Sequence, residues 1–175
     1  MQKRNPVAYW MKLGDGASCH RIFGPKDVST NSYLMYDSIE RNEFSDTLLM
    51  QAASEGDILS ASNLLASGDN ANSRTLDGYT ALMFAAVFGH DEIVRILLSN
   101  GADANMQSKD GMTALILAAR FGHLNVVNNL LATGCNTGSK DRYGQTAFRL
   151  ACDREYMEFR DYKKIAEALE KAGAR

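Results

Sequence analysis

The sequence predicts an all-α solenoid, made of helix-turn-helix units joined by hairpin-like loops. Three observations predict it. The stretch DGYTALMFAAVFGH, starting at Asp77, returns as DGMTALILAARFGH at Asp110, 33 residues later. The same interval connects threonines, leucines and glycines well outside that stretch. Between these marks, apolar residues recur at helical spacing. Self-similarity at such a period means that each unit is one supersecondary element, unable to bury its core without neighbours.

The register is easily followed. Thr80 is matched by Thr113 and Thr146, and by Thr47 at the edge of the pattern. Leu82 corresponds to Leu49 and Leu115, and Ala85 to Ala52, Ala118 and Ala151. Gly89 pairs with Gly56 and Gly122, Leu97-Leu98 with Leu64-Leu65 and Leu130-Leu131, and Gly101 with Gly68 and Gly134. Four units result, at about 44–74, 75–107, 108–140 and 141–175. Residues 1–43 do not follow the register and form an N-terminal extension. It is rich in turn residues, with a short helix expected near 32–44 that packs on the first unit.

Each unit has the same physical grammar. Asp77-Gly78 and Asp110-Gly111 mark tight turns in which a positive φ is inexpensive for glycine. Two residues on, threonine can cap the first helix by accepting from its unpaired amide donors. Leu82, Ala85 and Ala86 fall on one narrow face, thin enough for helices to approach closely. Gly89 ends that helix. Ile93, Val94, Leu97 and Leu98 form the stripe of a second, amphipathic helix that Gly101 closes, and ADANMQSKDG leads on to the next unit.

On these residues the chain resembles the ankyrin-repeat family, over about residues 44 to 175. It departs from the family signature T-P-L-H-x-A in two ways. Alanine stands in place of proline at Ala81, Ala114 and Ala147, and the signature histidine is Met83, Ile116 or Arg149. Proline in the first helical turn helps but is not required. The missing histidine should leave each unit slightly less braced.

An array needs polar outer edges. In the first unit, Ser60, Ala61 and Asn63 occupy the positions of Ile93, Val94 and Ile96; in the last, Glu170 occupies that of Leu98. The last unit also carries six extra residues within CDREYMEFRDYKK, since Ala151 to Gly173 spans 22 positions where Ala118 to Gly134 spans 16. Tyr156, Phe159 and Tyr162 of this stretch either cover the open end of the core or contact a partner.

Candidates for chemistry are few. His90 and His123 sit one repeat apart, roughly 8–10 Å for packed helices, whereas two ligands of one zinc ion each lie about 2 Å from it. They read instead as residues that begin the second helix and bond the inter-helix turn. Cys135 and Cys152 replace the alanines of the pattern, which suggests small buried side chains. Cys19-His20 is the one adjacent thiol and imidazole, and it leaves open an enzyme or metal protein built on that segment. No cofactor, metal or small-molecule substrate is expected. The formal charge of -2 makes no case for nucleic acid or a membrane surface, and weak nucleic-acid binding is kept only as an alternative. Three scattered cysteines without a CxxC pair, and no apparent secretory leader, favour a cytoplasmic setting with nuclear entry open.

What the resemblance implies is a non-catalytic protein-binding module: an adaptor, inhibitor or assembly factor. The two quoted stretches differ at Tyr79/Met112, Met83-Phe84/Ile116-Leu117 and Val87/Arg120, and these changed positions are expected to be exposed. The family's binding face, carried over residue by residue, comprises Leu76, Asp77, Tyr79, Val87 and Phe88 from the second unit. The third supplies Lys109, Asp110, Met112, Arg120 and Phe121, and the fourth Arg142, Tyr143, Gln145 and Arg154; Phe88 and Phe121, equivalent by repeat, alternatively pack against neighbouring first helices. Aromatic residues, Met and Arg are the types enriched in interfaces. Lys109, Arg120, Arg142 and Arg154 further suggest a partner segment that is partly apolar and partly acidic. Alanine at Tyr79, Arg120 and Tyr143 together is expected to abolish partner capture and leave stability nearly unchanged.

Overall fold

The structure, a computed structural model, describes residues 48–153 and 161–174. They form four helical pairs: α1 (Leu48–Glu55) and α2 (Ile58–Ala66), α3 (Ala81–Phe88) and α4 (Asp91–Ser99), α5 (Ala114–Phe121) and α6 (Leu124–Ala132), and α7 (Ala147–Cys152) and α8 (Tyr162–Lys171). No strand occurs among the described residues. The expected helix near 32–44 and the Cys19-His20 segment lie outside the described residues, as do Tyr156 and Phe159.

Local chemistry accounts for the starts of α2, α3, α5 and α7. Thr80, Thr113 and Thr146 have extended backbones, and their Oγ1 atoms accept from the amides of Met83, Ile116 and Arg149 at 3.4, 3.2 and 3.3 Å. Each thus satisfies one of the donors that a helix start leaves unpaired. Where the first repeat offers no described threonine cap, Asp57 caps the second helix instead, accepting from the Ser60 amide at 3.0 Å.

First helices contact first helices along the row α1, α3, α5, α7, and second helices follow α2, α4, α6, α8, with each pair also packed internally. This two-row ladder explains a difference between the rows. The second helices are amphipathic, burying Ile93, Val94 and Leu97 in α4 and Val126, Val127 and Leu130 in α6. The first helices are enclosed: Ala81 to Val87 and all eight residues of α5 are buried. The narrow apolar face read from Leu82, Ala85 and Ala86 is therefore only one side of an element buried on all sides. Ala85, Ala86, Ala118 and Ala119 are wholly inaccessible, and small side chains there let neighbouring backbones approach.

Histidine binds one repeat to the previous one. His90 Nε2 donates to the Ser54 carbonyl at 3.2 Å, and His123 Nε2 to the Val87 carbonyl at 2.9 Å, since a carbonyl can only accept. Each ring begins a second helix and reaches back to the last turn of the preceding first helix. This supports the structural reading of both histidines and extends it across the repeat boundary. The ring also fills the space that a side chain on the preceding glycine would need. A Cβ on Gly89 would lie 2.4 Å from His123 Nδ1, while one on Gly101 would meet nothing within 4 Å.

Both glycines have positive φ, 77° and 83°, so they separate conformational strain from steric conflict. Gly101→Ala should cost about 1–2 kcal/mol from backbone strain alone. Gly89→Ala should cost about 2–4 kcal/mol, because displacing the His123 ring also breaks its bond to Val87. Urea unfolding of the two variants checks the order, and equal losses would show that the ring moves aside freely.

Candidate protein-binding surface

Three hairpins project between the helical pairs. In each, an amide bonds back across the tip: Gly78 to the Thr75 carbonyl, Gly111 to Ser108 and Gly144 to Asp141, all at 2.9 Å. A second bond closes the base, from Thr75 N to Tyr79 O at 2.9 Å, with counterparts at Ser108/Met112 and Asp141/Gln145. At the same place the side chains of Thr75, Ser108 and Asp141 accept from the amides of Tyr79, Met112 and Gln145. Hydroxyl or carboxylate there performs one task, that of pinning the base of the loop.

Neighbouring tips are joined to one another. Lys109 N donates to the Asp77 carbonyl at 2.9 Å, and Arg142 N to the Asp110 carbonyl at 2.8 Å. Side chains repeat the connection, with Lys109 Nζ 3.8 Å from Asp77 Oδ1 and Arg142 Nη1 2.9 Å from Asp110 Oδ1. These ion pairs are exposed, and solvent screening leaves them little weight in stability; the backbone bonds fix the spacing. Arg142 also donates to the Tyr143 hydroxyl at 2.8 Å and lies 4.9 Å from that ring's centre. Lower on the same loops, Asn72 Oδ1 accepts from Asp103 N, and Asn105 Oδ1 from Asn136 N. Gly138 stands at the next position in that register, where no side chain can continue the ladder.

The sequence-predicted residues divide sharply. Leu76 (72% exposed), Tyr143 (52%), Lys109 and Arg142 lie on the surface of the tips; Asp77, Asp110, Gln145 and Phe88 are half-buried. Tyr79, Val87, Met112 and Arg120 are buried, which corrects the expectation that they are exposed; Phe121 is buried too, in line with the packed alternative for that residue. So are Met83, Phe84, Ile116 and Leu117. The physical reason is enclosure of the first helices and loop bases, where one packed side chain replaces another. Tyr79, for example, lies 6.2 Å from the Phe84 ring. Variation between repeats marked differences in packing as well as differences in surface. Arg154 lies outside the described residues.

The structure places the remaining candidates as follows. Cys135 is buried, and burial raises its thiol pKa, as suits an inert side chain. Cys152 is only half-buried, which corrects the expectation for that residue. Tyr162 is buried, and its hydroxyl donates to the Arg120 carbonyl at 3.1 Å, fastening α8 to α5. Its part in the six-residue addition is thus to cover the core. Among the described residues no three His, Cys, Asp or Glu side chains come together as metal ligands, and no helix is long and apolar enough to cross a membrane.

Sequence reasoning missed three exposed side chains. Leu48, Ile58 and Leu59 of the first repeat are exposed, although they are large and apolar. The signal was present: Leu48 stands where later repeats carry Ala81, Ala114 and Ala147, and Leu59 where they carry Glu92 and Asn125.

Two stability measurements follow from this division. Tyr79→Ala should lose about 3–5 kcal/mol, as expected of a large core aromatic, while Tyr143→Ala should change stability by less than about 0.5 kcal/mol. The triple variant at Tyr79, Arg120 and Tyr143 would therefore unfold more readily instead of reporting on binding. Burial first, and the nearby Asp110 carboxylate second, raise the Tyr79 phenol above its ordinary 10.0. Its contribution is intact below pH 10 and is lost as pH rises through the folded value. Alkaline unfolding curves should accordingly be flatter for Tyr79→Phe; identical curves would mean that this phenol ionises no differently in the fold.

Residues 82–131 match the family described as ankyrin repeats (many copies). No curated protein matches the chain. The matched span runs from within α3 to within α6, through the two repeats with the full grammar of threonine cap, glycine stop and histidine brace. With the same helical pairs stacked on either side of it, the chain has an ankyrin-repeat architecture of about four repeats.

Proposed function

We propose that the array is a non-catalytic protein-binding module, an adaptor, inhibitor or assembly factor that holds its partner along the hairpin tips. Ankyrin-repeat folds typically mediate contacts between proteins. The observation that carries the reading to this edge is the row of tips itself. Leu76, Lys109, Arg142 and Tyr143 are exposed on loops that are bonded to one another through the backbone. A surface already held in position loses little freedom on binding, which favours affinity without requiring large area.

The chemistry of the tips selects the partner. Leu76 and Tyr143 supply apolar contact at the two ends of the row. Between them, Lys109 and Arg142 are shared with Asp77 and Asp110. The partner segment is therefore mainly apolar, with an acidic group set against Lys109, whose ion pair is the longer of the two. Phe88 and Gln145, half-buried beside the row, extend the same surface. Val87, Met112, Arg120 and Phe121 serve the core in this reading. A cytoplasmic or nuclear partner fits the absence of paired cysteines among the described residues.

Affinity capture from the native cell, read by mass spectrometry, tests the proposal with Leu76→Ala/Tyr143→Ala as the control. Proteins held by the unmodified chain should be lost from the double variant, while its unfolding free energy stays within about 0.5 kcal/mol. Retention of the same proteins at equal yield would move the binding surface away from the tips.

A further inference from the structure

Most backbone donors of the hairpin tips are already in use. Every amide from Asp141 to Gln145 donates within its own tip or to the neighbouring one. Arg142 N bonds the Asp110 carbonyl, Tyr143 N and Gln145 N bond Asp141 Oδ1, Gly144 N bonds the Asp141 carbonyl, and Asp141 N bonds that of Gln145. In the middle tip, the amides of Ser108, Lys109, Gly111 and Met112 are engaged in the same way. A segment that binds by strand addition needs a run of open donors and acceptors along an edge. These two loops offer no such run of donors. What they present with the first tip is side chains: Leu76, Lys109, Arg142 and Tyr143, all exposed. An occupant that pairs its own backbone internally, as a helix does, loses nothing on such a surface.

The spacing of those side chains sets the register of the helix. Leu76, Lys109 and Arg142 hold equivalent places in successive tips, and Tyr143 follows Arg142. Each tip stands on one helical pair, so one interval is about 8–10 Å, and Leu76 to Tyr143 spans two intervals, about 16–20 Å. A helix rises about 1.5 Å per residue, so about eleven residues, close to three full turns, cover the distance and return to the same face. The cation between the two anchors is Lys109, whose side chain is 70% exposed and lies 3.8 Å from Asp77 Oδ1. A carboxylate four or seven positions from one anchor shares the helix face and meets that ammonium. In an extended chain, at about 3.3 Å per residue, about six residues separate the anchors, and the residue midway points to the opposite face.

Taking the tips as the binding edge, we infer that their occupant is an amphipathic, acidic helix of another protein, at least three turns long. It lies along the row, with two apolar residues eleven positions apart and Asp or Glu between them, at the fourth or seventh position.

Three synthetic peptides serve as probes. The first has leucine at two positions eleven apart and glutamate at the fourth and seventh positions between them, on an alanine and glutamine background. The second has the same composition with the later leucine moved two positions back, which turns it to the opposite face. The third carries a central proline, which breaks the helix. Each is titrated into the isotope-labelled full chain and followed by amide chemical shifts. The first should shift Leu76, Lys109, Arg142 and Tyr143 and bind at least about ten-fold more tightly than the other two. Lys109→Ala should weaken it by roughly three- to ten-fold, and Leu76→Ala/Tyr143→Ala by at least about ten-fold. These positions are exposed, so the fold should persist, which a thermal melt verifies. Equal binding of the proline peptide at the tips would keep the tips as the binding edge and overturn the helix. Equal binding of the displaced-leucine peptide would overturn the register. Shifts that map elsewhere, or no shift at all, also overturn the inference, while capture from the native cell decides the tip reading by itself. So does sedimentation as a dimer that Leu76→Ala/Tyr143→Ala dissociates, because the occupant would then be a second copy.

Discussion

Close approach between successive first helices is the constraint on which the rest of this structure depends. An eight-residue helix cannot hold itself together in water. Here α3 and α5 persist because neighbours on both sides and a second helix behind them remove nearly every side chain from solvent. The spacing works only with alanine at Ala85, Ala86, Ala118 and Ala119; larger groups would push the plates apart and open the core. The histidine braces depend on the same spacing, since each ring must reach the carbonyl of the preceding repeat and leave no space beyond it. The hairpins follow in turn, because their tips can share backbone bonds only when the helical pairs beneath them keep one interval.

This dependence accounts for what could be read in the sequence. Helix starts, helix stops and the register were legible because each is set by local chemistry: a threonine side chain within reach of an amide, or a glycine where φ must be positive. His90 and His123 were legible as structural residues because their fixed place in the repeat matched a helix start. Exposure was harder to read. Tyr79 and Met112, or Val87 and Arg120, differ between repeats as surface residues do, yet enclosure on all sides is a property of the assembled rows. One repeat read alone presents α3 as a helix with a single buried face. Arg120 shows the limit well: a charged side chain suggests solvent, and only the stack reveals that it is buried.

The hairpin row carries a further consequence of the period. A carboxylate at one tip and a cation at the next, 32 positions on, pair Asp77 with Lys109 and Asp110 with Arg142. Charge counted along the sequence suggests a basic patch here, whereas in space most of that charge is directed along the row. Such pairs add little stability, but they turn the side chains sideways and hold them there. Tyr143 takes the place that Asp77 and Asp110 occupy in the earlier tips, so the last loop ends in an aromatic surface instead of another carboxylate. The tips thus combine a rigid polar track with apolar ends.

The two ends of the array meet solvent by different means. At the last repeat, Tyr162 is drawn into the core and bonded to α5, and α8 presents Lys163, Lys164, Glu167 and Glu170 outward. Within α8 the division is complete: Tyr162, Ile165, Ala166 and Leu169 are buried, and the exposed residues are charged. At the first repeat, Ser60 and Asn63 replace interior isoleucines in the same manner, yet Leu48 and Leu59 reverse the trend by placing leucine where interior repeats use alanine, glutamate or asparagine. Each exposed leucine forfeits roughly the 1.5–3 kcal/mol its burial would contribute. Polar substitution at Ser60 and Asn63 lowers the affinity of this face for another copy of the repeat, so among the described residues the first repeat meets solvent through a mixed polar and apolar surface.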